Sequence, residues 1–171
     1  MRRILSLALT AASMAIAGPA SAQTAEQAPS LTSLAPLPEK IRSAAIDASI
    51  ADTGLIAGAQ IGSTSHYIVY LKTNMNCGSG GCRAQIWELG ANGPIQKESL
   101  PVGFLPVYIL PQIDSGLPRL AITIPHKGDK LGTMPLAVVY DGEDYLDYRV
   151  DEKIDTDLAR PLVTSDMLTA F

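Results

Sequence analysis

Apolar positions in this chain follow two different periods. Across Pro38-Glu39-Lys40-Ile41-Arg42-Ser43-Ala44-Ala45-Ile46-Asp47-Ala48-Ser49-Ile50-Ala51-Asp52 they recur at helical spacing. A packing stripe of Ile41, Ala44 or Ala45, Ala48 and Ile50-Ala51 predicts a helix whose small residues lie close to a sheet. Pro38 suits the first turn, Glu39 suits the positive end of the dipole, and Gly54 stands where a left-handed stop is expected. From Gln60 onward the pattern changes to short runs of Val, Ile, Tyr and Leu broken by Gly, Pro, Asn and Asp. These runs predict strands near 66–75, 83–89, 95–100, 106–110, 119–125, 135–140 and 144–150. The intervening Gly90-Ala91-Asn92-Gly93-Pro94, Asp114-Ser115-Gly116, Lys127-Gly128-Asp129-Lys130 and Asp141-Gly142 carry turn residues, and Asp141-Gly142 is the strongest two-residue hairpin signal. Connections this short leave no room for crossover helices. The expected class is therefore α+β: a mostly antiparallel β-sheet with one N-terminal helix and a disulfide-closed hairpin.

The first residues belong to a different pattern. Met1-Arg2-Arg3 is basic, Ile4 to Gly18 is uncharged and rich in Ala and Leu, and Ala20-Ser21-Ala22 is a small-residue A-x-A exit. This is the anatomy of a signal peptide over 1–22 cleaved after Ala22. At about 1.5 Å per residue its apolar run falls short of the ~30 Å bilayer core. Gln23 rather than Cys follows the cut, so no lipid anchor is expected. Residues 23–36 lack periodicity and read as a flexible leader, leaving 37–171 as a single globular domain. Localisation is expected to be periplasmic or secreted, with no membrane span in the mature chain.

Composition narrows the partners. Of 171 residues, 47% are hydrophobic and 18% charged, which suits one folded domain. Thirteen basic residues oppose seventeen acidic ones. That balance lacks the positive footprint nucleic acid requires. Without Arg2 and Arg3 the mature chain carries a net charge of -6, and all of it falls in Asp141 to Asp157, where eight acids accompany Arg149 and Lys153.

Chemistry concentrates at Cys77-Gly78-Ser79-Gly80-Gly81-Cys82, which holds the two cysteines of the chain. Behind an export signal and between two strand patterns, this reads as a disulfide across a hairpin end. Carrying that pairing down the hairpin sets a register. Tyr67, Val69, Leu71, Thr73 and Met75 then share the core face with Ala84 and Ile86. His66, Ile68, Tyr70, Lys72, Asn74, Asn76, Arg83, Gln85 and Trp87 share the other, with Lys72 opposite Trp87 for a cation–π contact. The candidate binding residues are Gly78, Ser79, Gly80 and Gly81 with Tyr70, Lys72, Arg83 and Trp87. The glycines permit a tight turn, and their successive N–H groups can cradle an anion or a carboxylate.

Sharper readings of the ring fail on spacing. Gly78-Ser79-Gly80-Gly81 lacks the Asp of the trypsin-like nucleophile loop, and His66 lies thirteen residues upstream of Ser79 in a chain too short for two barrels. Zinc needs closer Cys pairs and further ligands, whereas His66 and His126 stand apart. No catalytic residue, metal ligand or cofactor is assigned.

A strand leading into Cys-x4-Cys and out into an aromatic strand resembles the protruding loop of the periplasmic inhibitors of vertebrate-type lysozyme. Cys77 and Cys82 carry over, while Gly78 to Gly81 stand where that family places Lys, Pro, His and Asp. The chain also resembles an uncharacterised secreted bacterial family with a Cys-Gly-Ser-Gly-Gly-Cys hairpin, a following strand and a Phe/Tyr-Asp-Gly-x-x-Tyr turn, here Tyr140-Asp141-Gly142-Glu143-Asp144-Tyr145. That likeness implies a fold and no activity.

Three expectations of function follow. The first is a non-enzymatic periplasmic or secreted recognition protein with a protein partner, in the manner of an inhibitor of a cell-wall-active enzyme. The second is a glycan or cell-wall hydrolase using acids of 141–157, and the third is an envelope structural module. The acidic stretch lacks EF-hand spacing, because Leu146 occupies the position where Gly is required. A solvated, charge-protected edge strand accounts for it instead.

Overall fold

The structure is a computed structural model, describing residues 36–127, 131–149, 154–155 and 157–171. The expected signal peptide and nearly all of the leader lie outside the described residues, as does part of the acidic stretch. Chain contacts separate Met1–Thr32 from a unit comprising Ser33–Phe171, and the description concerns the latter.

Among the described residues one α-helix, α1 (Glu39–Ser49), precedes ten strands: β1 (Leu55–Gln60), β2 (His66–Lys72), β3 (Cys77–Gly78), β4 (Gly81–Gly90), β5 (Gly93–Asp114), β6 (Leu117–Lys127), β7 (Leu131–Val139), β8 (Asp147–Arg149), β9 (Arg160–Val163) and β10 (Thr169–Ala170). Every pairing among them is antiparallel, in the order β10-β1-β2-β4-β5-β6-β7-β8, with β3 beside β4 and β9 beside β5. The α+β expectation is met.

The long β5 organises the domain. From Gly93 to Gly103 it pairs with β4, and from Phe104 to Asp114 with β6 and β9. It therefore belongs to two sheet halves, which bury a common core. Ala57, Ile68, Tyr70 and Ile86 of the first half meet Leu120, Ile122, Leu136, Val138 and Leu162 of the second. Gly103 sits at the crossing, where a Cβ would lie 2.8 Å from the Thr123 carbonyl oxygen, so a side chain there would push the halves apart.

Helix α1 covers the other face of the first half. Ile41 and Ala45 pack on Ile56, Tyr67, Val69, Leu71 and Trp87. Strand β2 is consequently buried on both faces, with Tyr67 through Leu71 all buried. The helix is shorter than the 38–52 predicted. Ile50 ends it in the left-handed conformation (φ 55°), ahead of Gly54, and is 87% exposed rather than part of the stripe. Ser49 takes the inward place, its Oγ donating to the Ile46 carbonyl at 2.7 Å. Arg42 ties the helix to β10 through Thr169 Oγ1 (3.1 Å) and the Ala170 carbonyl (2.9 Å).

The tightest hairpins differ from expectation. Gly90 pairs with Gly93 and Asp114 with Leu117, each around two residues. At the second, Ser115 and Gly116 both have positive φ, as a twist-matched turn requires. Asp141-Gly142 instead begins a longer loop, because pairing between β7 and β8 starts at Val139 and Asp147.

Candidate functional site

Cys77 and Cys82 are bonded, with Cα atoms 4.0 Å apart. Cys77 pairs with Cys82 and Gly78 with Gly81, as the ring predicts. The register does not continue down the hairpin. In the tip's register Tyr67 would face Asn92, but it faces Trp87, a slip of five residues. The slip is taken up between β2 and β3, where Thr73 Oγ1 accepts from the Asn76 N–H (3.1 Å) and the Asn76 carbonyl from the Arg83 N–H (2.9 Å). Because side chains alternate, an odd slip exchanges the faces. Tyr67, Val69 and Leu71 thus share a face with Trp87, whereas Ile68 and Tyr70 share one with Ala84 and Ile86.

The structure accordingly does not bring Tyr70, Lys72, Arg83 and Trp87 onto one surface. Tyr70 is buried between the sheet halves, its hydroxyl donating to the Gly103 carbonyl at 3.0 Å. Trp87 is buried beneath α1, its Nε1–H donating to Gln85 Oε1 at 2.9 Å. Lys72 and Arg83 are exposed, opposite Leu55 and Val102, so Lys72 does not face Trp87. Gly78 and Ser79 are exposed, and a Cβ on Gly78 meets nothing within 4 Å. Gly80 and Gly81 are packed. A Cβ on Gly80 would lie 3.1 Å from Pro125 Cγ, and one on Gly81, whose φ is +99°, 2.1 Å from the Gly103 carbonyl oxygen. The ring lies against β5 and β6 rather than projecting freely.

Beside the slipped segment is an open groove of about 240 Å³ lined by Ile50, Ala51, Asp52, Thr53, Asn74 and Met75. Ile50 and Met75, at 87% and 73% exposure, are the most exposed large apolar side chains among the described residues. A β-branched residue at positive φ is uncommon and costs energy.

A second cluster lies around Glu98 and the β7–β8 loop, and the sequence reading missed it. Glu98 pairs with Ile86, is 9% exposed, and accepts the Tyr145 N–H on Oε1, while Oε2 has no partner. Burial, followed by the charges of Asp144 and Asp141, pushes its carboxyl up to about 7. Lys97 pairs with Asp144 at 3.9 Å. Tyr145 is fully buried, its hydroxyl donating to the Pro118 carbonyl at 2.6 Å. The Tyr140 ring stands 5.3 Å from Tyr145 and 5.9 Å from His66. Burial holds His66 below the usual histidine range, and its Nδ1 is buried without a partner. Asp141 builds the loop: its Oδ1 accepts the N–H groups of Glu143 (2.8 Å) and Asp144 (2.9 Å), which hold its carboxyl below the usual range. Nothing in Gln96-Lys97-Glu98-Ser99 distinguishes Glu98 from a solvent-facing strand residue.

His126 lies on β6 opposite Gly132, and His66 on β2. Among the described residues no group of His, Cys, Asp and Glu could hold a metal ion, and no helix is long and apolar enough to cross a membrane. No family model, curated protein or solved structure matches the chain.

Proposed function

We propose that this chain is a non-enzymatic recognition protein of the periplasm or cell exterior. It engages a protein partner, of the class of cell-wall-active enzymes, through the end of the sheet that bears the Cys77–Cys82 ring. The observation that carries this reading is the pair of exposed apolar side chains, Ile50 and Met75, on one open groove. Apolar anchors bordered by polar groups are the usual centre of a protein contact. Asp52, Thr53 and Asn74 supply the border. The disulfide supports an oxidising compartment, and the covalent ring limits the freedom that Thr73 to Asn76 would lose on binding.

The test is capture from envelope extract together with a lysozyme turbidity assay, using mature protein and the variants Ile50→Asp and Met75→Asp. Saturable binding is expected, weakened at least about tenfold by either substitution, because each removes an apolar anchor from exposed surface. Thermal melts of Met75→Asp should coincide with wild type, and those of Ile50→Asp should match or exceed it, since aspartate tolerates the left-handed conformation better than isoleucine. Binding that survives both substitutions would move the contact elsewhere, and turnover of cell-wall material by the protein itself would replace recognition with hydrolysis.

A further inference from the structure

The β7–β8 loop, 140–146, packs over one end of the sandwich. Gly142 lies beside Ser115 of the β5–β6 turn, and Tyr145 reaches Pro118 of β6. On the first sheet half the loop is held by Glu98 through the Tyr145 N–H and by Lys97 through Asp144. Glu98 thus joins a buried carboxyl, with one oxygen unpartnered, to the backbone of a segment whose Gly142, Glu143 and Leu146 are exposed.

We propose that Glu98 is a proton-controlled latch: neutral, it holds the β7–β8 loop closed over the end of the sandwich, and its ionisation favours an open loop that uncovers Tyr145, Tyr140 and His66. The electrostatic setting supports this direction. His66 comes from β2, Glu88 from β4, Lys97 from β5, Tyr140, Asp141, Asp144 and Tyr145 from the loop, and Tyr148 from β8. Lys97 is a cation, its charge divided between Glu98 and Asp144, while Asp141 and Asp144 repel an ionised Glu98. The Tyr145 N–H bond strengthens toward a carboxylate, but burial outweighs it. Opening the loop returns Glu98 to water, so each proton lost favours the open form.

The experiment is amide exchange at Tyr145 and its loop neighbours in the mature protein, corrected for intrinsic base catalysis. Between about pH 5 and 8 the opening constant at Tyr145 is expected to rise by roughly two orders of magnitude, following the tenfold per pH unit that linkage allows between the two carboxyl midpoints. In Glu98→Gln it should stay flat, near the low-pH wild-type value. A wild-type loop insensitive to pH, or a dependence that persists in Glu98→Gln, would overturn the latch. Should that variant not fold, carboxyl carbon NMR of the unmodified protein decides. A Glu98 midpoint tracking loop opening supports the proposal, and one at the ordinary glutamate value overturns it.

Discussion

At the scale of single residues, four ring positions that look interchangeable in sequence have separate tasks. Gly81 combines a positive φ with backbone contact to Gly103, whereas Gly78 faces open space. Gly81→Ala should therefore destabilise by roughly 2 to 4 kcal/mol, through strain and displaced backbone, and Gly78→Ala by less than about 0.5 kcal/mol. Urea denaturation of the two variants checks the contrast. Charge makes a second residue-level prediction. Glu98 binds its proton more tightly folded than unfolded, so its contribution is complete below the unfolded midpoint of 4.5 and is lost as pH rises through about 7. The loss is on the order of 3 to 4 kcal/mol at ~1.4 kcal/mol per unit. Asp114 acts in the opposite sense. Its bond from Arg119 holds its carboxyl down, so its contribution is present above the unfolded midpoint of 3.8 and lost as pH falls through its lowered value. Stability measured across pH should thus peak on the acidic side of neutrality, and Glu98→Gln should flatten the alkaline limb.

At the scale of elements, the disulfide shapes the tip more than it supports the fold. A ring of about six residues is worth ~2 kcal/mol by loop entropy, and the packing of Gly80 and Gly81 on β5 and β6 remains when the bond is gone. Reduced protein should melt somewhat earlier in a single transition; global unfolding on reduction would refute this. The same hairpin marks the limit of what the chain's pattern reveals. Its helix, the turns after β4 and β5 and the antiparallel class are legible, because local spacing decides them, whereas Asp141-Gly142 does not close the two-residue hairpin its dipeptide predicts. The register is not, since Thr73 to Asn76 absorb an odd slip that both apolar faces of β2 accommodate. Pro101 and Pro106 made β5 read as two short strands, yet both fall where its ladder shifts register, so no regular pairing is broken. Strand β1 was missed because Ala57, Gly58 and Ala59 carry little β-propensity. Gly58 is small for packing, since a Cβ there would sit 3.0 Å from Leu37 Cδ1, just ahead of α1, while Ala57 and Ala59 face the core between the sheet halves. Glu98 is legible in no local pattern, because a loop some forty residues downstream buries it.

At the scale of the whole molecule, most strand pairs join neighbours in the chain, β2 pairs with β4 across the two-residue β3, and two pairings span much longer stretches: β9 on β5 and β10 on β1. Those pairings, together with the Arg42 contacts to Thr169 and Ala170, bring the last dozen residues to the start of the domain. Deleting 160–171 should leave β1 and the distal part of β5 with unpaired edges, bind hydrophobic dye and aggregate, as gel filtration would show. The same arrangement imposes an order in time. The meander from β1 to β8 can assemble largely from strands adjacent in the chain, whereas β1 and the distal part of β5 keep a bare edge until β10 and β9 dock on them. Until that docking the two edges offer unpaired N–H and C=O groups, a form of the chain that a chaperone can still grip.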